Sequence, residues 1–301
     1  MAGVGASGWR VCACRIAGLV AISIVLLGCQ KRQSGAASAR NTDIAFVLLS
    51  KSALPSGQEI VSAFSAFADK GQQVKLDPKA GQGSANAAES KDLPALEFAV
   101  SPRGHGVVAL MAFAVPNGEA DAAAAYSVSA ILKDWKPPPH QAHLLVSLGD
   151  TGIAAPAERL SLFTSFLAAV AKVAEPVGIY WGGARATHDP AFLIATAQQQ
   201  DVASRLMLWT GVSRAQEKDG RLSLLSMGMR QLDLPDLLFV TSQPAGEGLG
   251  TFFDMLSFVV HRGKPIPEND TVGRTAEEKL PVHYVASPID PKTKVWRVDL
   301  R

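Results

Sequence analysis

Cysteine is nearly missing from this chain. Three occur in 301 residues, at positions 12, 14 and 29. From position 30 on there is no thiol, so a disulfide framework, a thiol nucleophile and a Cys-ligated metal are all excluded there. Long apolar runs are missing too, and none reaches the roughly 20 residues that a bilayer-spanning helix needs. Neither sign of charge dominates: 29 Lys plus Arg stand against 27 Asp plus Glu. That balance offers no basic surface for nucleic acid. Complete catalytic signatures are also absent. The sequence has no G-x-S-x-G elbow, no S-x-x-K, no H-E-x-x-H and no D-x-D run for calcium. No catalytic residue, cofactor or metal is therefore assigned.

What is present begins at the N-terminus. Arg10 and Arg15 are followed by an uncharged run of 13 residues, Ile16 to Gly28. A positive region, a short apolar region and a small residue before a cut make up a signal peptide. The run ends ISIVLLGCQ, residues 22–30, and Leu26-Leu27-Gly28-Cys29 resembles the lipobox of bacterial lipoprotein signals. The resemblance implies a diacylglycerol on the Cys29 sulfur, cleavage before Cys29 and acylation, such as palmitate, of the new amine. Two or three acyl chains would anchor the protein stably, since each buried methylene contributes about 0.8 kcal/mol. Gln30 after the cysteine resembles an outer-membrane pattern, and the expected location is the cell membrane or the outer membrane, with the protein facing the periplasm or the exterior. Cleavage removes Arg10 and Arg15, so Lys plus Arg falls to 27 against 27 acids. It also removes Cys12 and Cys14, which are not a redox or zinc pair.

The expected organisation is a signal peptide over 1–28, a lipidated end and flexible tether over 29–42, and a domain over 43–301. The tether, QKRQSGAASARNT, is small and polar with no hydrophobic period. Residues 79–94, KAGQGSANAAESKDLP, read as an exposed loop for the same reason. Strands are expected at 44–49, 96–100, 107–115, 143–148, 177–181, 206–212, 222–227, 237–240, 282–286 and 295–298, with a short one at 74–76. Helices are expected at 58–69, 119–132, 156–173, 190–199 and 251–261. Strand pairs adjoin, and helices fall between the pairs. This favours an α+β fold, a mostly antiparallel sheet with helices packed on it. Residues 43–149 fit β-α-β-β-α-β, a ferredoxin-like unit, and the second half is open to being another, although no sequence repeat supports that.

Chemistry-bearing residues are scattered. His140 and His143 sit behind three prolines, where residues three apart in an extended chain point to opposite faces. Gly246, Gly248 and Gly250 have the wrong spacing for a phosphate loop and read as a sharp turn before Thr251 as a helix cap. Ser147, Asp150, His188 and Asp189 are hydrolase letters without a hydrolase pattern. The most suggestive surface feature is Trp181-Gly182-Gly183-Ala184-Arg185, an aromatic strand end with open backbone and a nearby cation. Against it stands the plainer reading of a core tryptophan with an exit turn. Asp270, Thr271 and Gly273 form a polar loop that either caps itself or binds.

Several stretches are similar, in order and spacing, to the bacterial family called domain of unknown function 4261. They are VGIYW ending at Trp181, RLMLWTGV with Trp209, SMGMRQLDLPDLLF with Gly228, Leu234, Pro235 and Asp236, GKPIPENDTVG from Gly263 to Gly273, and VWRVDL near the end. The resemblance spans roughly 43–300 and is strongest from 143 onward. Asp236 stands where Glu is common in the family, and Asn269 where Gly is common. The resemblance implies a set of relatives and a shared fold, but no reaction. Two functions follow as expectations. One is a membrane-anchored accessory or binding protein of the bacterial envelope, held through the lipid on Cys29, with Trp181, Arg185, Asp270, Thr271 and Gly273 as candidate binding residues and an envelope protein as partner. The other is an envelope hydrolase with a site near Trp181 and Asp270.

Overall fold

The structure, a computed structural model, describes residues 42–77, 93–275 and 277–301. The signal peptide, Cys29, nearly all of the tether and most of the 79–94 loop lie outside the described residues. Within them the chain is an α+β domain built on two main sheets, and its strand pairs are antiparallel except one.

The chain opens with β1 (Asp43–Leu49), whose apolar run is buried, and α1 (Gly57–Phe64). Ser56 caps α1 by accepting from the Glu59 amide. The helix stops at Phe64, short of the expected Asp69, yet Phe67 in the following turn remains in the core. Then come β2 (Gln73–Leu76), β3 (Ala95–Ser101) and β4 (His105–Met111) as a meander. The Ala-rich stretch expected as one helix is broken into α2 (Glu119–Ala123), a 3-10 turn and α3 (Val128–Lys133). The break is at Ser127, which leaves helical geometry to cap α3 with its own hydroxyl.

Next, β5 (Ala142–Gly149) and α4 (Pro156–Ala174) lead to β6 (Gly178–Trp181) and a short β7 (Ala186–His188) that the sequence did not signal. The larger sheet has the order β2-β3-β4-β5-β1-β6-β7. Its centre, β4-β5-β1-β6, is a ferredoxin-like arrangement: α1 joins β1 toward β4 across β5, and α4 joins β5 to β6 across β1. This differs from the unit expected over 43–149. There β5 would close the unit beside β1, with β4 on the other side of β1. Instead β4 pairs with β5, and β6 takes the other side of β1 and closes the unit.

Beyond β7 come α5 (Pro190–Ala197), α6 (Val202–Trp209), β8 (Gly211–Gln216), β9 (Leu222–Met227) and β10 (Leu237–Thr241). The expected strand from Leu206 is a helix up to Trp209. Asp201 caps it by accepting from the Ser204 amide at 2.8 Å, and Thr210 returns to extended geometry before β8. Short apolar runs do not distinguish strand from buried helix, and here the cap decided. Finally α7 (Ala245–Arg262), the two-stranded ribbon β11 (Thr271–Val272) with β12 (Leu280–Pro281), β13 (His283–Ala286) and β14 (Lys294–Leu300) complete the chain. The smaller sheet runs β13-β14-β10-β9-β8, with β10 and β14 parallel. Its β8-β9-β10 part is a meander with only a 3-10 turn, Met229–Leu232, and no α-helix inside it, so the second half is not a second ferredoxin-like unit.

Helices tie the sheets together. α4 packs on β1 and β5, α7 packs on β9 and β10, and α6 touches both helices. The indole N–H of Trp209 on α6 donates to the Thr164 hydroxyl on α4 at 2.8 Å. A single apolar cluster runs from Ala45 through α4 to Leu300. Helix α4 was expected to show one apolar face; instead every residue from Arg159 to Ala171 is buried. It is covered all round, as a core helix is.

Candidate functional site

Trp181 ends β6, and its side chain is core. It is 1% exposed, packs edge-to-face on Phe163 with ring centres 5.1 Å apart, and donates its indole N–H to Gln231 Oε1 at 2.9 Å. The chain then reverses sharply: the Ala184 amide donates to the Trp181 carbonyl and the Arg185 amide to the Gly182 carbonyl. Of the two glycines only Gly183 is needed for a close approach; a Cβ at Gly182 would meet nothing nearer than the Ile44 carbonyl at 3.8 Å. A Cβ at Gly183 would stand 2.0 Å from Gln231 Oε1. Gln231 was missed by sequence reasoning, and it joins three segments. Its amide nitrogen also donates to the Trp209 and Gly228 carbonyls. Arg159 adds a further tie, donating to the Gln231 carbonyl and to the buried carboxylate of Asp43. No local motif announces a glutamine in such a role.

The reversal delivers Arg185, exposed and at φ +53°, to the mouth of a cleft of about 520 Å³. The opposite wall is the segment from Gly228 to Asp236, and the third side is the β13–β14 loop with Ser287 and Asp290. Gly228 has φ +117°, and a Cβ there would lie 2.7 Å from the Trp209 carbonyl, so the turn requires glycine. Asp236, from the Leu-Pro-Asp turn, is held from inside. Its carboxylate accepts from the Ser226 hydroxyl at 3.0 Å and from the Met229 amide at 3.1 Å. Burial pushes its pKa above the ordinary carboxylate value, against the opposing pull of those donors and of Arg185. Asp290 is likewise occupied. It accepts from the Thr293 hydroxyl and the Lys292 amide, and these donors, the hydroxyl most, hold its pKa down.

The cations of the cleft are not occupied. Arg185, Arg230 and Lys294 line it, and none makes an ion pair among the described residues. Asp233 stands on the same rim, also outside any ion pair. The arrangement suits capture of an anionic group. Arginine offers a planar fork of donors; Asp236 and Asp290 attract Arg185 through charge, but their hydrogen bonds go to Ser226, Met229, Lys292 and Thr293.

The other candidates lie elsewhere. Asp270 accepts from the Thr271 amide at 2.8 Å, and its carbonyl receives the Val282 amide at 2.9 Å, so the loop caps itself and feeds β11. Gly273 is needed because a Cβ would stand 1.8 Å from the Glu278 carbonyl. Gly273 faces a separate, apolar pocket that shares no lining residue with the Arg185 cleft. Trp181 and Asp270 are therefore not brought together. Among the hydrolase letters, His188 is fully buried against the Leu208 carbonyl and Asp189 caps α5. His140 accepts from the Val115 amide, and the His143 ring bonds the Phe113 carbonyl. No group of three metal-ligating side chains occurs among the described residues. The three glycines expected as a turn lie inside α7, which begins at Ala245 behind Pro244. Gly248 there lets the helix approach Thr241.

The model of one family, Domain of unknown function (DUF4261), matches residues 225–299. That stretch runs from β9 to β14 and carries Gly228, Asp236, Asp270, Thr271 and Gly273. It supplies two of the three sides of the cleft. Trp181 and Arg185 precede it, as do the VGIYW and RLMLWTGV stretches of the wider resemblance. No curated protein and no solved structure matches the chain.

Proposed function

From the premise that residues 225–299 form a DUF4261 domain, we propose that the protein is a lipid-anchored binding component of the bacterial envelope. It is tethered through Cys29, and the cleft beside Arg185 receives an acidic segment of an envelope protein. The observation that carries this reading is the set of three cations, Arg185, Arg230 and Lys294, that face one cleft outside any ion pair. The anchoring part rests on the lipobox-like sequence alone.

Two measurements test the two parts. Metabolic labelling with a fatty acid should mark the wild type and not Cys29→Ala; equal labelling refutes the anchor. Crosslinking in intact envelopes should recover a partner whose capture by the Arg185→Ala, Arg230→Ala double variant falls at least about tenfold, as loss of charge-assisted hydrogen bonds implies. Undiminished capture refutes the cleft. The hydrolase alternative, with a site near Trp181 and Asp270, gains no such support. Those two residues lie apart, and the cleft beside Arg185 is lined by no histidine.

A further inference from the structure

We propose that the segment 112–118, between β4 and α2, is an acid-released strap. It closes over the outer face of the larger sheet while the His140 ring is neutral, and it lifts when that ring takes a second proton. Val115 is the one buried residue of the segment. It packs with Leu48 of β1, Tyr180 of β6, and Ala120 and Ala123 of α2. Val47, the neighbour of Leu48 on the opposite face of β1, belongs to the main core with α4. The strap and α2 thus cover a small second core on the far side of the sheet. Beside it that face is open, with a groove of about 220 Å³ lined by Ile44, Phe46 and Tyr180. A lifted strap adds Leu48 and more of Tyr180 to this apolar surface.

Two imidazoles hold the backbone of the strap, in opposite ways. His143 donates from Nδ1 to the Phe113 carbonyl at 2.8 Å, and a charged ring makes that bond too. His140 does the reverse: its Nε2 accepts the Val115 amide at 3.0 Å. A backbone N–H only donates, so this bond needs the lone pair on Nε2 and puts the ring proton on Nδ1. A second proton takes that lone pair, and two donors then face each other. The His140 side chain is 4% exposed, so the displaced amide finds no water until the strap lifts. The lifted form therefore binds the proton more readily than the closed one. Closure is complete at high pH and weakens as pH falls through the range in which imidazole charges. The titratable groups around the two rings leave that sign unchanged. Asp121 of α2, 3.8 Å from Nδ1, favours the charged ring, but it is 56% exposed and gives the amide no acceptor. His143 of β5 is a like charge when protonated, and burial holds its pKa below the ordinary value. Glu119 of α2 is taken by the Tyr180 hydroxyl of β6 at 2.5 Å. From β1 the neighbour of His143 is the apolar ring of Phe46, 5.0 Å away between centres.

The test follows hydrogen exchange of the Val115 amide in the full chain between about pH 8 and pH 5, as protection relative to an unstructured peptide at the same pH. Wild-type protection should fall at least about tenfold across that range, the scale of one hydrogen bond left unmade. The fall should track the titration of the His140 ring, read by NMR in the same sample. The Gln141 amide, which donates to the Leu49 carbonyl at the end of the β1–β5 pair, should keep its protection. His140→Gln supplies an amide oxygen that accepts at every pH, so Val115 should stay protected at the acid end. His140→Ala should leave Val115 poorly protected even at the alkaline end. Constant protection of Val115 in the wild type, a fall that departs from the His140 titration, or an equal fall at Gln141 overturns the inference. An equal fall in His140→Gln overturns it as well, and the wild-type data decide alone where a variant does not fold. Neither the lipid anchor nor the Arg185 cleft enters any of these outcomes.

Discussion

His188 shows what burial does to a residue that sequence letters alone make interesting. Its ring is fully enclosed, one nitrogen bonds the Leu208 carbonyl at 3.0 Å and the other has no partner. Desolvation brings its pKa from 6.5 down to about 4. The unfolded chain therefore binds a proton between those values that the native chain does not. Stability from this group is full above pH 6.5 and is lost as pH falls toward 4, by an amount on the order of 3 kcal/mol. Below that window both states are protonated and the loss stops growing. Urea unfolding at a series of pH values should show this slope in the wild type and a much flatter one in His188→Gln. An equal slope in both would assign the acid sensitivity to other groups. The same enclosure removes His188 from any role as a general base, which must reach its substrate.

At the scale of elements, α7 separates glycines that have a packing task from glycines that do not. Gly246 and Gly250 face open space, whereas a Cβ on Gly248 would come within 2.9 Å of Thr241 Cγ2. Glycine inside a helix is less favourable than alanine by roughly 0.5–1 kcal/mol. Gly246→Ala and Gly250→Ala should each raise stability by about that much. Gly248→Ala should lose the gain or destabilise, because helix and strand must move apart. Denaturant midpoints check all three, and a uniform gain would mean that Gly248 has room. Such contrasts also mark how far the sequence is legible. Patterns with a long period or a sharp stop were readable: α4 from Pro156 onward, the β13–β14 hairpin around Pro291, the meander through β3 and β4. The start of α7 was not, since three glycines in five residues look like a turn until the helix behind them is seen. Nor was α6, where a run of apolar residues fits two periods and only Asp201 decides. For the cleft, the glycine pair before Arg185 and the Leu-Pro-Asp turn were visible, but Gln231 was not. Its task is to bridge backbone from three segments, and a long-range contact leaves no local spacing to read. Asp270 and Thr271 carried a polar-loop signal that the structure spends on a self-capping turn.

The whole molecule turns on α4. It supplies Phe163 to Trp181 of the larger sheet and Thr164 to Trp209 of α6, which in turn packs on α7. Because a single apolar cluster joins both sheets through these helices, neither has a complete core of its own. The domain should then unfold in one transition, although at about 260 residues it is larger than chains for which that is the rule. Circular dichroism and the fluorescence of Trp181, Trp209 and Trp296, which sit in different parts of the core, should give superimposed curves. Phe163→Ala, which empties a fully buried site on α4, should cost about 3–5 kcal/mol. That loss should lower protection against hydrogen exchange in β9 and β10 as much as in β1 and β5. If only the larger sheet loosens, the two sheets are separate cooperative units. The cleft beside Arg185, which takes one wall from β6–β7 and the others from the β9–β14 region, would then open and close between them. A common loss of protection means instead that both sides of the cleft are held by one core, and that ligand binding there stabilises the entire domain.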